Sequence, residues 1–241
     1  MNNENLISIG EAANRLGVSI DTLRRWDKLG KLKAIRKNNI RCYVKEDIDI
    51  FLNNLQAMAF LWASEKNSQE ANKEFYCPNS YVFQLRLIKL QESLAKKTTT
   101  STPSFILSSI VGEIGNNSFD HNVGNWPDIP GIFFGYDINK QEIILADRGQ
   151  GLLKTLKMVR PKLKSHKDAI NIAFTEIVSA RYPEARGNGL KFVQRMVLKN
   201  PIDFIFQSGD YQLEIKKDTK KLEIKKANRH IQGCITIIKY L

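Results

Sequence analysis

The chain is short of cysteine. Cys42, Cys77 and Cys234 are the three among 241 residues, an odd number at wide spacing with no C-x-x-C or Cys/His ligand pattern, which supports neither a disulfide framework nor a zinc site. No run of 18 apolar residues exists, and the opening MNNENLISIGEAA lacks a basic start followed by an apolar stretch, so neither membrane spanning nor secretion is signalled. A reducing cytoplasm is the expected location. Neither G-x-x-x-x-G-K-[ST] nor a strand followed by G-x-G-x-x-G occurs, which leaves out the P-loop and the Rossmann dinucleotide fingerprint, and there is no internal repeat. Acids are scarce relative to bases. With 25 Asp and Glu against 37 Lys and Arg, the net charge is +12, a balance that favours polyanions such as nucleic acid or nucleotide phosphates.

What is present first is a compact basic segment. Ser8-x-x-Glu11 is a capping-box pattern, followed by Ala12, Ala13 and Leu16 at helical spacing and a stop at Gly17. Ser19 can cap a second helix that turns Leu23 and Trp26 inward. Two short helices joined at a glycine make a helix-turn-helix. Asn38-Asn39 then reads as the turn of a small β-wing, and Glu46-Asp47 opens a helix with Ile48, Phe51 and Leu52. From Arg24 to Lys45 nine Lys or Arg stand against one acid, Asp27, a surface suited to duplex phosphates.

On T-L-R-R-W-D-x-L-G-K-L (22–32) and R-C-Y-V-K-E-D-I (41–48) this stretch resembles the winged helix-turn-helix DNA-binding domains of the MerR and excisionase superfamily, over roughly residues 6–53. The resemblance implies double-stranded DNA as a partner and a second helix in the major groove. Thr22, Arg24 and Arg25 would be base or phosphate readers, Lys28 and Lys37 would add to the basic face, and Arg41 and Tyr43 would be phosphate contacts beside the wing. Trp26 reads as core, and Tyr43 could equally be core.

The domain boundaries are expected at 1–55 for the DNA-binding unit, 56–80 for a helical linker and 81–241 for a second domain. Leu55, Met58, Ala59 and Trp62 within the connecting stretch have helical spacing, suited to a core or to a second copy of the chain. Helices are predicted over 81–97 and 105–122, strands over 131–138 and 141–147, a basic loop after them, and helices over 167–181 and from Gly187. The remaining alternating segments read as strands completing a sheet.

The predicted helix 105–122 carries Glu113, Asn117 and His121 on one side with Phe105, Ile106, Ile110, Val111 and Ile114 toward a core. A carboxylate and a carboxamide one turn apart are costly to bury unless something polar faces them; hydrated Mg²⁺ with phosphates meets that need. The second strand ends in Asp147, with Gly149 and Gly151 beyond it, and Gly187-Asn188-Gly189 precedes a helix of period Leu190, Val193, Met196, Val197, a loop whose N–H groups attract phosphate.

The ordered set E-I-G-N-N-S-F-D-H (113–121), D-R-G-Q-G (147–151) and G-N-G-L (187–190) resembles the N, G1 and G2 boxes of the GHKL ATPase superfamily, over roughly residues 81–241. The resemblance implies an α+β chain: the winged helix-turn-helix followed by an α/β sandwich that binds ATP with Mg²⁺. Asp147 would accept the adenine amino group, Gly149 and Gly151 would let the backbone pass beneath the base, Asn117 would hold Mg²⁺ and Glu113 would activate water. Gly187, Asn188, Gly189 and Leu190 would wrap the phosphates, with His121 in support and Lys191 supplying positive charge where sensor kinases continue with glycine. Residues 153–186 would form the nucleotide lid, although no phenylalanine-containing lid box is evident. Three functional readings follow: an ATP-controlled DNA-binding regulator, acting as a homodimer or with a protein partner; an anti-sigma-type protein kinase; or a nucleotide sensor without hydrolysis. None of His121, His166 and His230 lies in a dimerising phosphoacceptor helix, which disfavours a conventional sensor kinase.

Overall fold

The computed structural model describes residues 6–28, 30, 32–52, 54–64, 71–97, 101–176 and 189–241. The N-terminal unit follows the capping logic of its sequence. β1 (Leu6–Ser8) leads into α1 (Ile9–Leu16), whose cap Ser8 accepts a hydrogen bond from the Glu11 N–H, and Gly17 ends the helix with φ 66°. Ser19 accepts from the Thr22 N–H at 3.1 Å and starts α2 (Ile20–Lys28). Asn38 and Asn39, at φ 48° and 62°, form the turn joining β2 (Ile35–Lys37) to β3 (Ile40–Val44), as a two-residue hairpin with both φ positive demands. β1 adds to β3 through Ile7↔Tyr43, making a small sheet of order β1-β3-β2. α3 (Lys45–Leu52) closes this unit by laying Phe51 on Trp26, ring centroids 5.1 Å apart.

The second unit is an α/β sandwich around an antiparallel sheet of order β4-β5-β6-β8-β7: β4 (Tyr76–Cys77), β5 (Ile132–Asp137), β6 (Glu142–Asp147), β7 (Ile202–Ile215) and β8 (Leu222–Tyr240). β6 is buried along its whole length, and its continuous apolar run follows from being covered on both faces. Ile143 and Leu145 face a core completed by α5 (Ser80–Lys96), α6 (Ser104–Asn122), α8 (His166–Thr175) and α9 (Gly189–Lys199), while Ile144 and Ala146 face α4 (Leu55–Ser64).

Within the stretch 56–80, α4 seats Ala59 and Trp62 on the back of the sheet and β4 pairs with β5. Two expectations change. The alternating C-terminal segments are two long strands, since Gly209 (φ 63°) absorbs a bulge that bends the β7–β8 ladder without ending it. The basic loop after β6 contains a short helix, α7 (Gly151–Lys157), and the expected lid is in part core. α8 packs Phe174 against Phe204 and Phe206 at 6.0 and 5.2 Å. Residues 177–188, with Gly187 and Asn188, lie outside the described residues.

Candidate functional site

A cleft of about 930 Å³, mouth included, opens between α6 and the sheet, closed at its ends by α7 and the first turn of α9. Asn117, His121, Asp147, Gly151, Gly189 and Leu190 all contribute to its wall, so residues from three separate sequence motifs are brought together. Ile114, Leu145, Leu156 and Phe206 supply apolar lining, the mixed character of small-molecule pockets.

Asp147 sits at the buried end of β6 and is 3% exposed. Ser118 donates to its Oδ2 at 2.8 Å, and the N–H groups of Gly149 and Cys234 donate to Oδ1 at 2.9 and 3.2 Å. Burial nevertheless outweighs these donors and pushes its pKa up to about 6. The carboxylate is therefore ionised at neutral pH and short of solvation, a strong acceptor for a ligand N–H. The Cys234 thiol beside it is pushed well above its ordinary value by burial and by the Asp147 charge, so it stays protonated and chemically quiet.

A side chain on Gly149 would overlap the Asn122 carboxamide, so the turn can pass the end of α6 this closely only with a glycine there. Asn122, 4% exposed, donates to the Ser118 carbonyl at 2.7 Å and accepts from the Gln150 N–H at 2.8 Å, tying the end of α6 to the turn. Gly151, at φ 71°, does border the cleft.

On the opposite wall, Asn117 Nδ2 donates to Glu113 Oε1 at 3.3 Å, which turns the carboxamide oxygen away from Glu113. The Glu113 carboxylate itself lies against Gly189, where a Cβ would overlap Oε1; any larger residue at the start of α9 would have to displace this carboxylate. Lys191 is half-buried on the same turn and does not border the cleft, nor does Glu113. Among the described residues no three His, Cys, Asp or Glu side chains converge as a metal cage would require, so a cation here would need oxygen from Asn117 and from its own ligand. His166 stands away from the cleft, paired through Nδ1 to Asp210 at 2.5 Å.

The basic face is carried by the first unit. Arg24, Arg25, Lys28 and Lys37 are exposed, with Arg24 2.8 Å from Asp21. Arg41 Nε donates to Asp27 at 3.0 Å and clamps the wing to α2; the Ala34 N–H and then Arg41 hold the Asp27 carboxyl below its ordinary value. Two expected DNA contacts are corrected. Tyr43 is fully buried and its hydroxyl donates to the Leu23 carbonyl at 3.0 Å, and Thr22 is buried against Ser19 with 3.0 Å between their hydroxyls. Both serve the core and the helix cap.

Residues 8–43 match the MerR family regulatory protein model. A 60-residue stretch is 47% identical to the type II methyltransferase M.Eco47II of Escherichia coli, covering 24% of this chain and 13% of the length of that relative. The sandwich is similar in fold to the ATPase region of Saccharomyces cerevisiae topoisomerase II, at 15% identity and TM-score 0.40, over 57% of this chain and 38% of the other. It is also similar to the 43K ATPase domain of Thermus thermophilus gyrase B, solved with an aminocoumarin, at 15% identity and TM-score 0.34, over 65% of this chain and 40% of the other.

In the MerR-like segment the sequence locates the helices and the wing, misses β1, and overcounts the readers, as Thr22 and Tyr43 show. In the cleft it misses Ser118, Asn122 and Thr236, and behind Asp147 it misses Gly233. Thr236 is 1% exposed and borders the cleft from β8. Gly233 carried the one available signal, a glycine interrupting the strand pattern Q-G-C-I-T-I-I, which marks close backbone approach. No described helix is long and apolar enough to cross a membrane.

Proposed function

We propose that the protein is a DNA-binding regulator that takes an adenine nucleotide with Mg²⁺ into the cleft between α6 and the sheet. The observation that carries this reading is Asp147: a buried carboxylate at the cleft floor, held by Ser118 and two backbone N–H groups and suited to accept the adenine amino group. Guanine presents a carbonyl at the corresponding ring position and would be repelled. The order of the three motifs and their convergence on one cleft support the GHKL-type reading.

Asn117 would hold the cation, because its Nδ2 is given to Glu113 and a carboxamide oxygen is a hard ligand; the bound ion would neutralise charge on the phosphates. Glu113 is the candidate base. Its carboxylate at the start of α9 would orient a water and take its proton as the water attacks the terminal phosphorus and the bond to the leaving diphosphate oxygen breaks. Leu190 and Gly189 border the phosphate end, with Gly187, Asn188 and Lys191 as further candidates. His121 would support the ligand from α6. On the first unit, Arg24, Arg25, Lys28 and Lys37 would meet duplex phosphates or base edges, with Arg41 bracing the wing.

The test pairs nucleotide binding with turnover. Purified protein is expected to bind ATP in preference to GTP and to release phosphate at a rate that collapses in Glu113→Ala. Binding without turnover in the wild type would leave a sensor, and label transfer to a second protein would make it a kinase. Preference for GTP would reject the assignment of Asp147.

A further inference from the structure

Arg148 follows the cleft-floor carboxylate directly in sequence, yet its side chain belongs to the other face of the sheet. It is 1% exposed. Its Nη1 donates to the Trp62 carbonyl, and Nε and Nη2 both donate to Asp128 Oδ2 at 3.0 and 2.5 Å. The guanidinium also lies 6.0 Å from the centroid of the Trp62 ring, and the Arg148 carbonyl accepts from Gln232 at 3.2 Å.

The helix that Arg148 grips is the one that joins the two units. Trp62 is in the last turn of α4, where carbonyls lack partners within the helix and the dipole is negative, so a buried cation is well matched there. One residue earlier, Leu61 points into the core of the helix-turn-helix unit with Trp26 and Tyr43, while Leu55, Ala59 and Trp62 pack on the sheet. α4 is thus shared by two cores.

We infer that Arg148 is the coupling residue between the cleft and the DNA-binding unit, holding the 147–149 turn and the end of α4 in register so that occupancy of one site alters affinity at the other. This rests on the nucleotide-binding reading of the cleft. The physical reason is that a buried guanidinium cannot release Trp62 or Asp128 without leaving charge uncompensated. Movement of the turn onto a base must therefore be matched at α4, and movement of the helix-turn-helix on a duplex must be matched at Asp147. Coupling of that kind is reciprocal by linkage.

The experiment measures Kd for Mg-ATP and for a random-sequence duplex on the full chain, each with and without saturating amounts of the other, for wild type, Arg148→Met and Asp128→Asn. Wild type is expected to show each ligand changing the other's Kd by about 5- to 150-fold. Both variants are expected to keep the separate affinities while the coupling factor falls toward one. Coupling that persists in the variants, or none in a wild type that binds both ligands, overturns the inference. A wild type that binds no nucleotide instead overturns the reading of the cleft, and the first titration separates the two failures. Should Arg148→Met not fold, hydrogen exchange on the wild type decides: Mg-ATP is expected to change protection across 55–64, and unchanged protection rejects the link.

Discussion

Gly233 of β8 lies so close to Asp147 of β6 that any side chain on it would overlap both the Asp147 carbonyl oxygen and Oδ1. The strand bends there at φ 75°, which brings the Cys234 N–H within 3.2 Å of the same carboxylate. Gly233→Ala combines an unfavourable backbone region with an overpacked contact and is expected to cost about 3 kcal/mol or more of stability. Chemical denaturation checks this; a loss below about 1 kcal/mol, small for any point mutation, would mean that the site does not need this approach.

Asp147 gives a pH signature with a definite sign. Its folded pKa of about 6 lies above the ordinary 3.8, so the native state binds the proton more tightly than the unfolded chain does. Its contribution to stability is therefore greatest below pH 4 and falls as pH rises through 6, by about 3 kcal/mol in all. Asp147→Asn is expected to remove that slope between pH 4 and 6 in denaturation curves. An unchanged slope would place the titration elsewhere.

Glu113→Gln keeps the shape of the carboxylate at Gly189 and removes its basicity. Nucleotide affinity is expected to hold within a few-fold, while phosphate release falls by about 10²- to 10⁴-fold. Equal turnover in variant and wild type would exclude Glu113 as the base.

Arg24→Ala with Arg25→Ala removes two exposed cations from α2. Duplex affinity is expected to drop and the slope of log K against log salt to become shallower by about 2. An identical slope would put the duplex on another face.

Tyr43→Phe deletes the hydroxyl bonded to Leu23 and is expected to lower stability by about 1 kcal/mol while the folded protein keeps its duplex affinity. A selective loss of DNA binding would restore Tyr43 as a phosphate contact.

The legible parts of the sequence were those whose physics is local. Ser8, Gly17, Ser19 and the Asn38-Asn39 turn act within a few residues, and each stands where its type predicts. Asn117, Asp147 and Gly189 were legible as motif members, and the fold does gather them on one cleft. What stayed hidden depends on distant partners. Asn122 fills the space vacated by Gly149, and Tyr43 turns inward because the Leu23 carbonyl, 20 residues earlier, accepts its hydroxyl. The helical spacing of Leu55, Met58, Ala59 and Trp62 marks a packed face, but nothing in 55–64 reveals that this face belongs to the back of a sheet whose strands come mostly some 70 to 180 residues later.

The most direct test is calorimetric titration of ATP with Mg²⁺ into wild type and Asp147→Asn at neutral pH. Saturable binding to the wild type, weakened by about 10- to 100-fold in the variant through loss of a charged acceptor, is the predicted result. Identical heats for the two proteins, or no binding to the wild type, would contradict it.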